Sequence, residues 1–359
     1  MTIFLVIISL SILILVHELG HFLFAKLFKM PVEEFGIGFP PRLLKKKIGE
    51  TVYSVNLLPF GGFVKITGEN NEAMGQSSNA RSFSSFPIWK RSVVILAGVA
   101  SNIAIAWLAL NVVFFIGVPK HLLATEILDN SPAEIAGLQS GDIILEVKAN
   151  APDISIYRNI DILHDPITTE DFTAFTKSHM GQTIRLTLQR EKETIETEAT
   201  LKAEVGENEG ALGVKILEIG TDPEPFPKNV ISGTIATGQS LSLITQSFYT
   251  LFTKVFTEPE IIEGISGPIG IVGIATQAIH MGFAYLLQFL ALISLNLAVL
   301  NLIPFPALDG GRFLFLIIEK LIRRPISFKI QAITNTTGFA LLVLLLILVT
   351  IKDISSLTG

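Results

Sequence analysis

The sequence predicts an α-helical polytopic membrane protein with about four transmembrane helices, a membrane-associated β-hairpin and one inserted α/β domain. Three observations support this fold class. The 359 residues are 49% hydrophobic and only 16% charged, below the roughly one quarter charged that is usual in soluble domains. The uncharged residues are concentrated in stretches long enough to cross a bilayer. The segments between these stretches differ in charge, as loops on opposite sides of a membrane do.

Three apolar stretches and a weaker fourth one predict the transmembrane helices. Residues 2–24 are almost uncharged except around His17-Glu18, and residues 93–118 and 281–303 carry no charged side chain. The fourth stretch, about residues 333–351, opens with four polar residues. About 20 apolar residues cross a bilayer as a helix. The first stretch lacks the charged start and the cleavage site of a signal peptide, so we expect it to remain in the protein.

The distribution of charge predicts the orientation of the chain. Residues 25–91 contain ten basic and five acidic residues, and the short segment after the third apolar stretch is also basic. Both segments are therefore expected in the cytoplasm. The acidic segment between the second and third stretches and both termini are expected outside. The net charge of -5 and the lack of a basic tract give no indication of nucleic-acid binding. Without cysteine, disulfides and cysteine-based sites are excluded.

Short runs of strand-forming residues predict the hairpin. Residues 51–58 and 63–67 flank Pro59-Phe60-Gly61-Gly62, a composition typical of a turn. Two interpretations remain open, an ordinary surface hairpin or one that enters the edge of the bilayer.

The outer segment predicts a small domain. A short helix (132–136) leads into an apolar strand (143–147), and further strand-like runs follow at 184–189 and 194–201. Residues 240–256 show helical periodicity, typical either of a helix along the membrane surface or of one packed on the neighbouring domain. These features set the predicted boundaries: first transmembrane helix 1–28, cytoplasm-facing hairpin segment 29–91, second transmembrane helix 92–118, outer domain 119–205, connecting segment 206–280, third transmembrane helix 281–312, and cytoplasmic loop with fourth transmembrane helix 313–359.

The first predicted helix contains a metal-site motif, His17-Glu18-Leu19-Gly20-His21. Positions i and i+4 share one helix face, so both imidazoles can reach one metal ion. Glu18 can then take a proton from the attacking water and pass it to the leaving amine. The alternative is a polar cluster that binds neighbouring helices. An unpaired ionisable residue within a transmembrane helix costs free energy, however. The presence of three such residues, His17, Glu18 and His21, therefore favours a functional site.

A catalytic zinc needs a third protein ligand, and Asp309 is the candidate. It lies in Asn301-Leu302-Ile303-Pro304-Phe305-Pro306-Ala307-Leu308-Asp309-Gly310-Gly311, at the inner end of the third apolar stretch and at the depth expected for His21. The prolines break the helix there. The alternative role for Asp309 is to cap a helix that starts near Phe313. Of the remaining histidines, His121, His164 and His179 lie in the outer segment, and His280 lies at the outer end of the third stretch.

Asn296 and Asn301 are polar positions in the third apolar stretch. They either hydrogen-bond a neighbouring helix, which is the usual role, or hold the substrate backbone beside the metal.

The chain resembles the bacterial site-2 protease family of the RseP type. The resemblance rests on HELGH in the first helix, NLIPFPALDGG in a later one, GISGPIGI before the third, and the hairpin around Pro59–Phe63. In addition, SPAEIAGLQSGDIILEV between the helices is similar to PDZ domains. The resemblance covers essentially the whole chain.

This resemblance implies an intramembrane zinc metalloprotease in the inner membrane. His17, His21 and Asp309 would bind Zn2+, and Glu18 would be the catalytic base. Substrates would be single-span membrane proteins such as anti-sigma factors or remnant signal peptides, trimmed first by an upstream site-1 type protease. The inserted PDZ-like domain would lie outside the cell and exclude untrimmed proteins, with the zinc site near the cytoplasmic side of the lipid bilayer.

The substrate is expected to bind in extended form along the hairpin, where Gly61 and Gly62 allow close backbone approach. Phe63 is a further candidate for substrate contact. Two departures from the family are visible. This chain has room for about one PDZ-like domain where the best-known Gram-negative relatives carry two in tandem, and Arg312 stands where many relatives have histidine.

Two other functions remain open. Two histidines and a carboxylate also suit a non-haem iron oxygenase, although the Glu beside His17 has no role there. The second open function is a non-catalytic membrane scaffold, which would bind peptide termini through its PDZ-like domain. This function gives Glu18 no role.

Overall fold

A computed structural model describes residues 2–69, 81–149, 162–164, 167–190, 193–206, 210–254, 257 and 267–358. The chain forms two compact units, one from residues 1–113 and 230–359 and the other from residues 114–229. Among the described residues, four helices are long and apolar enough to cross a membrane: Val6–Leu27, Ile88–Ile116, Phe283–Leu302 and Lys329–Ser355. The prediction of about four apolar helices is confirmed.

Three of the four spanning helices are longer than their predicted apolar stretches, and the third one along the chain, Phe283–Leu302, is slightly shorter. Helix α9 includes the four polar residues that weakened the fourth prediction, because a helix already formed on either side carries them at little cost. Leu344 to Leu348 on α9 are all about half exposed, as expected for side chains that face lipid. The helices of this unit are α1 (Thr2–Leu27), α2 (Ile88–Ile116), α5 (Lys228–Lys254), α6 (Pro268–Met281), α7 (Phe283–Leu302), α8 (Asp309–Ile322) and α9 (Phe328–Thr358).

A hairpin is present, but the two strands predicted to form it do not pair with each other. Strand β1 (Val32–Ile48) pairs with β2 (Thr51–Ile66), so the turn lies at Gly49-Glu50 and the two predicted strands are parts of β2. The Pro/Gly segment is where β2 passes α1. The Ser11 hydroxyl contacts the Pro59 carbonyl, and a Cβ on Gly62 would meet Leu15. The chain also reverses its direction in this segment, because residues 52–55 run parallel to residues 34–37 and residues 62–65 run antiparallel to them. The glycines therefore allow close packing on a helix at the point of this reversal.

The register of this sheet leaves one edge open. Residues 34–37 pair with residues 62–65 on one side and with residues 52–55 on the other. Residues 52–55 in turn also pair with residues 44–47. The segments at the two edges are therefore residues 62–66 and residues 42–48. No strand among the described residues pairs with the outer edge of residues 62–66.

The second unit contains one sheet with strand order β7-β6-β4-β3-β8, with β5 also paired to β4. Its last strand extends the unit to Asn229, beyond the predicted boundary at residue 205. Strand β8 could not be assigned because its sequence, VKILEIGT, alternates only weakly. The core of this unit is apolar and includes Leu122, Ile144 and Leu186. The elements are β3 (Val118–Ile127), α3 (Pro132–Ile135), β4 (Ile143–Ala149), β5 (Ile162–His164), α4 (Thr169–Ser178), β6 (Thr183–Arg190), β7 (Glu193–Thr200) and β8 (Val214–Thr221).

Candidate active site

Helix α1 presents both motif histidines on one buried face. The four-residue spacing places the Nε2 atoms of His17 and His21 3.1 Å apart. The two residues are 7% and 8% exposed, so the helix holds its polar motif inside the first unit and away from its surface.

Asp309 joins these histidines from a different helix. Its Oδ2 atom lies 2.9 Å from Nε2 of His17 and 3.2 Å from Nε2 of His21. Asp309 is the first residue of α8, and the helix has Leu308 at its N-cap with no side-chain cap bond. The predicted alternative of a capping Asp therefore does not describe its position.

The two glycines that follow Asp309 allow the tight backbone path that places it beside the histidines. A Cβ on Gly310 would collide with the carbonyl oxygens of Leu302 and Ile303, and one on Gly311 with the carbonyl of Phe305. Helix α7 ends at Leu302, so the chain folds back tightly before α8 begins. Glycine is required because the backbone itself fills the space of a side chain.

The three donor atoms fit a zinc ion. His17, His21 and Asp309 each offer one ligand atom, and all of these atoms lie within 4.8 Å of one another. Tetrahedral zinc with bonds of about 2.0–2.1 Å places its ligand atoms about 3.3 Å apart, close to the separations observed. Three protein ligands leave the fourth position open, which is the pattern of a catalytic site.

Each histidine has a partner behind the ring. Nδ1 of His21 lies 2.8 Å from the Val94 carbonyl oxygen, so it donates a proton there and leaves Nε2 free to bind a metal. The side-chain amide of Asn102 lies 3.2 Å from Nδ1 of His17. The Oδ1 atom of Asn102 is buried without a partner among the described residues. With this oxygen turned toward His17, Nδ1–H donates to it and Nε2 of His17 is also free.

Helix α2 approaches the histidines through Gly98. A Cβ at this position would lie 2.5 Å from Nε2 of His21 and 2.7 Å from Nε2 of His17. The same helix contacts Gly20 of the motif, where a Cβ would collide with the Ala97 carbonyl and the Ser101 hydroxyl. The two glycines allow α1 and α2 to pack at the closest distance, with both imidazoles between them.

Glu18 lies beside the three donor atoms without contacting them directly. Its Oε2 accepts a hydrogen bond from the backbone N–H of Val64 at 3.1 Å, on the open edge of β2. It also lines a cavity of about 250 Å³. The described residues around this cavity are Ile14, His17, Glu18, Asn102, Leu297, Asn301, Ala307, Leu308, Asp309 and Arg312.

Arg312 lies between this cavity and a second one. The second cavity has a volume of about 400 Å³ and is lined by the polar and charged side chains of Glu69, Arg91, Glu319 and Asn335, among others. Arg312 lines both cavities and donates to Oε1 of Glu69 at 2.8 Å. The residue that departs from the family pattern is therefore part of the wall of the site.

The five predicted substrate-binding residues lie in different surroundings. Asn301 lines the cavity, whereas Asn296 donates to the carbonyl of Leu292 in its own helix and is not among the lining residues. Gly61 and Gly62 are buried against Ile14 and Leu15 of α1. The Phe63 ring is half-buried beside Phe39. Substrate contact remains a prediction for all five.

Sequence reasoning missed Gly98 and Asn102, and it noted Arg312 without giving it a place in the site. Asn102 is a polar residue in an otherwise uncharged stretch, the same signal that drew notice to Asn301. Gly98 carries no signal of its own, because glycine is common in transmembrane helices. The side chain of His280, the histidine at the outer end of the third apolar stretch, lies outside the described residues.

Comparisons with known proteins show the family to which the chain belongs. The model of Peptidase family M50 matches residues 5–345. A Clostridium perfringens protein, provisionally named a zinc metalloprotease, is 36% identical over 346 residues, covering 96% of each chain. The zinc metalloprotease RasP of Shouchella clausii is 30% identical over 97% of each chain. The regulator of sigma-W protease RasP of Bacillus subtilis is 27% identical over 96% of each chain. The chain therefore belongs to peptidase family M50, the site-2 protease family, and is a zinc metalloprotease.

Proposed function

We propose that the protein cuts transmembrane segments of single-span membrane proteins that another protease has already trimmed. The observation that carries this proposal is the position of the zinc-binding group within apolar helices. Glu18 lies nine residues before the end of the span Val6–Leu27, about 14 Å from that end at about 1.5 Å per residue. A peptide bond must therefore enter the bilayer region to reach it.

The side chains divide the work of hydrolysis. Zinc bound by His17, His21 and Asp309 would polarise the scissile carbonyl and make the attacking water more acidic. Glu18 accepts the proton of that water and delivers it to the leaving nitrogen. The Val64 N–H holds one oxygen of Glu18, which fixes the direction of the carboxylate.

The outer partners keep the histidines in a single orientation. The Val94 carbonyl oxygen, and the Asn102 carboxamide oxygen when it is turned toward His17, accept hydrogen bonds from the Nδ1–H groups and so direct both Nε2 lone pairs toward the same point. We infer that water reaches Glu18 from the cytoplasmic side by way of the second cavity, because Arg312 lines both that cavity and the cavity beside Glu18.

An extended substrate requires new hydrogen-bond partners, because unpaired backbone groups in hydrocarbon cost several kcal/mol each. The open edge of residues 62–66 offers such partners directly beside Glu18. We therefore infer that the substrate adds to this edge as a further strand. Gly61 and Gly62 are unsuitable for testing this, because their substitution disturbs packing on α1.

Val64 provides a cleaner test. Its N–H points away from β1 toward Glu18, so proline breaks no ladder bond but removes the hydrogen bond to Glu18, a loss that is the same for every substrate. Val64→Pro should reduce cleavage of a helical substrate more than that of one with helix-breaking residues near the cut. Val64→Ala, which keeps the N–H, is the control. Equal loss for both substrates would contradict strand addition.

The physiological substrates that fit this site are anti-sigma factors and remnant signal peptides in the bacterial inner membrane. The name of the Bacillus subtilis relative, regulator of sigma-W protease, supports the first class. Co-expression with candidate single-span proteins, trimmed or untrimmed, compared between the natural chain and Glu18→Gln, tests this directly. Stable trimmed substrates in the presence of the natural chain would refute the proposal.

We propose that the second unit is a PDZ-like domain outside the cytoplasm that excludes untrimmed proteins from the active site. Strand β8 lies at the edge of its sheet and α4 contacts it through the bond from Thr169 N–H to Glu218. The ends of the unit are adjacent, since the Glu224 N–H donates to the Phe114 carbonyl. Replacement of residues 118–222 by a short Gly/Ser linker should therefore preserve cleavage and relax the requirement for trimming. Complete loss of cleavage in a protein that still binds zinc would show a direct role instead.

A further inference from the structure

The edge segment 42–48 of the hairpin shows an unusual distribution of side chains. It contains Lys45, Lys46 and Lys47 next to the turn, and Leu43 and Leu44 further along. All of these residues are exposed. In a strand that packs one face on a core, apolar and polar residues alternate, because successive side chains point to opposite faces.

The polarity here changes along the strand instead. Leu43, Lys45 and Lys47 share one face, and Leu44 and Lys46 share the other. Both faces therefore change from apolar to cationic between Leu43 and Lys47, and an exposed isoleucine, Ile48, follows the lysines beside the turn. Leu43 and Leu44 are 57% and 69% exposed. A segment surrounded by water has no reason to expose leucines on both faces, whereas a segment that crosses from headgroups into hydrocarbon does.

Contacts with α1 give the direction of this gradient. At the turn end, Lys26 donates to the Thr51 hydroxyl at 2.5 Å. At the far end, Ser11 contacts Pro59. Lys26 lies 15 residues beyond Ser11, about 22 Å along the helix axis at about 1.5 Å per residue. The sheet thus runs beside α1 through most of the roughly 30 Å hydrocarbon layer.

The apolar surface of the sheet lies at the deep end. Ile37, Phe39, Leu57 and Leu58 are all exposed there. The three lysines pair in register with residues 52–54, close to the level of Lys26 at the end of the span. They are therefore placed at the height of the lipid headgroups.

The lysines also carry positive charge that no described ion pair neutralises. Arg42 on the same segment is paired with Glu34 at 2.7 Å, but no ion pair among the described residues includes Lys45, Lys46 or Lys47. A cluster of basic residues beside a membrane attracts anionic lipids.

We propose that Lys45, Lys46 and Lys47 bind the headgroups of anionic phospholipids in the cytoplasmic leaflet. Leu43 and Leu44 insert below them into the acyl chains. This contact holds the sheet at a fixed depth, so that the opposite edge, at Val64, stays level with Glu18. The inference rests on the proposed membrane orientation, but its test reads lipid contact and is independent of cleavage.

The chain has no cysteine, so Leu44→Cys provides a single site for a fluorescent label. The labelled protein is placed in nanodiscs of phosphatidylcholine and phosphatidylglycerol. A headgroup quencher is carried either by the anionic or by the zwitterionic lipid. The measured quantity is the quenching by the labelled anionic lipid divided by the quenching by the labelled zwitterionic lipid. Each lysine near an anionic leaflet strengthens attraction by up to about fivefold, so the ratio should clearly exceed one.

Three variants in this background complete the test. Gln at positions 45, 46 and 47 should bring the ratio to about one, and Arg at the same positions should preserve it. Gln in place of Lys320, Arg323 and Arg324 removes three charges elsewhere on the same predicted side and should leave it unchanged.

Several results would overturn the proposal: a ratio near one in the labelled natural sequence, a ratio that survives Gln at all three lysines, or an equal loss with the remote changes. High salt offers a check that needs no variant of the lysines. Screening should lower the ratio in the natural sequence, and a ratio insensitive to salt would contradict an ionic contact.

Discussion

Replacement of Gly98 by alanine tests how closely α2 holds the metal ligands. The added Cβ would lie 2.5 Å from Nε2 of His21, whereas carbon contacts are favourable from about 3.5 Å. At least one imidazole must therefore move by about 1 Å. Misplacement by this distance near the chemistry can cost about a hundredfold in rate, and we expect a loss of this order in cleavage together with weaker zinc binding.

The matched control is Gly238→Ala on α5, where the new Cβ would have no neighbour within 4 Å. Both changes replace glycine by alanine inside a helix, which by itself favours the helix by about 1 kcal/mol. Zinc affinity is measured by competition with a chelator, and cleavage with a reconstituted substrate. If Gly98→Ala bound zinc and cut as well as Gly238→Ala, the packing described around the histidines would be incorrect.

Three further predictions concern ligands and orientation. Asp309→Asn should weaken zinc binding, measured by chelator competition. The loss should exceed the roughly 10–100-fold that removal of a hydrogen-bond partner behind a ligand costs, and unchanged affinity would point to another ligand. Asn102→Leu should weaken zinc binding by about 10–100-fold, and normal affinity would show that His17 needs no partner. Single cysteines at Lys46 and Lys202 should react with impermeant reagents from opposite sides of the membrane, and labelling from one side would refute the proposed orientation.

The metal-binding group could be predicted because its signals are local. The spacing of His17 and His21 follows from helix geometry, and the prolines and glycines around Asp309 mark a broken helix end at the matching depth. The partners of these ligands could not be predicted. Asn102 lies 85 positions from His17 in the chain, and only helix packing brings the two together.

The sheets were predicted less well for a similar reason. Residues 32–48 contain Pro40-Pro41 and a run of lysines, which argue against a strand when read alone. They become a strand because residues 51–66 pair with them on two sides. In the second unit, β8 joins the sheet through pairing with β3, nearly a hundred residues earlier. Such non-local pairing leaves little trace in a short window of sequence.

The most direct test of the central claim is to map where the purified, zinc-loaded protein cuts a trimmed single-span substrate in proteoliposomes. Mass spectrometry of the products should place the cut inside the apolar span, and removal of zinc by a chelator should stop it. Glu18→Gln should retain zinc and yield no product, because the carboxylate that accepts the proton is gone. Cleavage only outside the span, or product formation by Glu18→Gln near the natural rate, would contradict an intramembrane protease that uses Glu18 as its base.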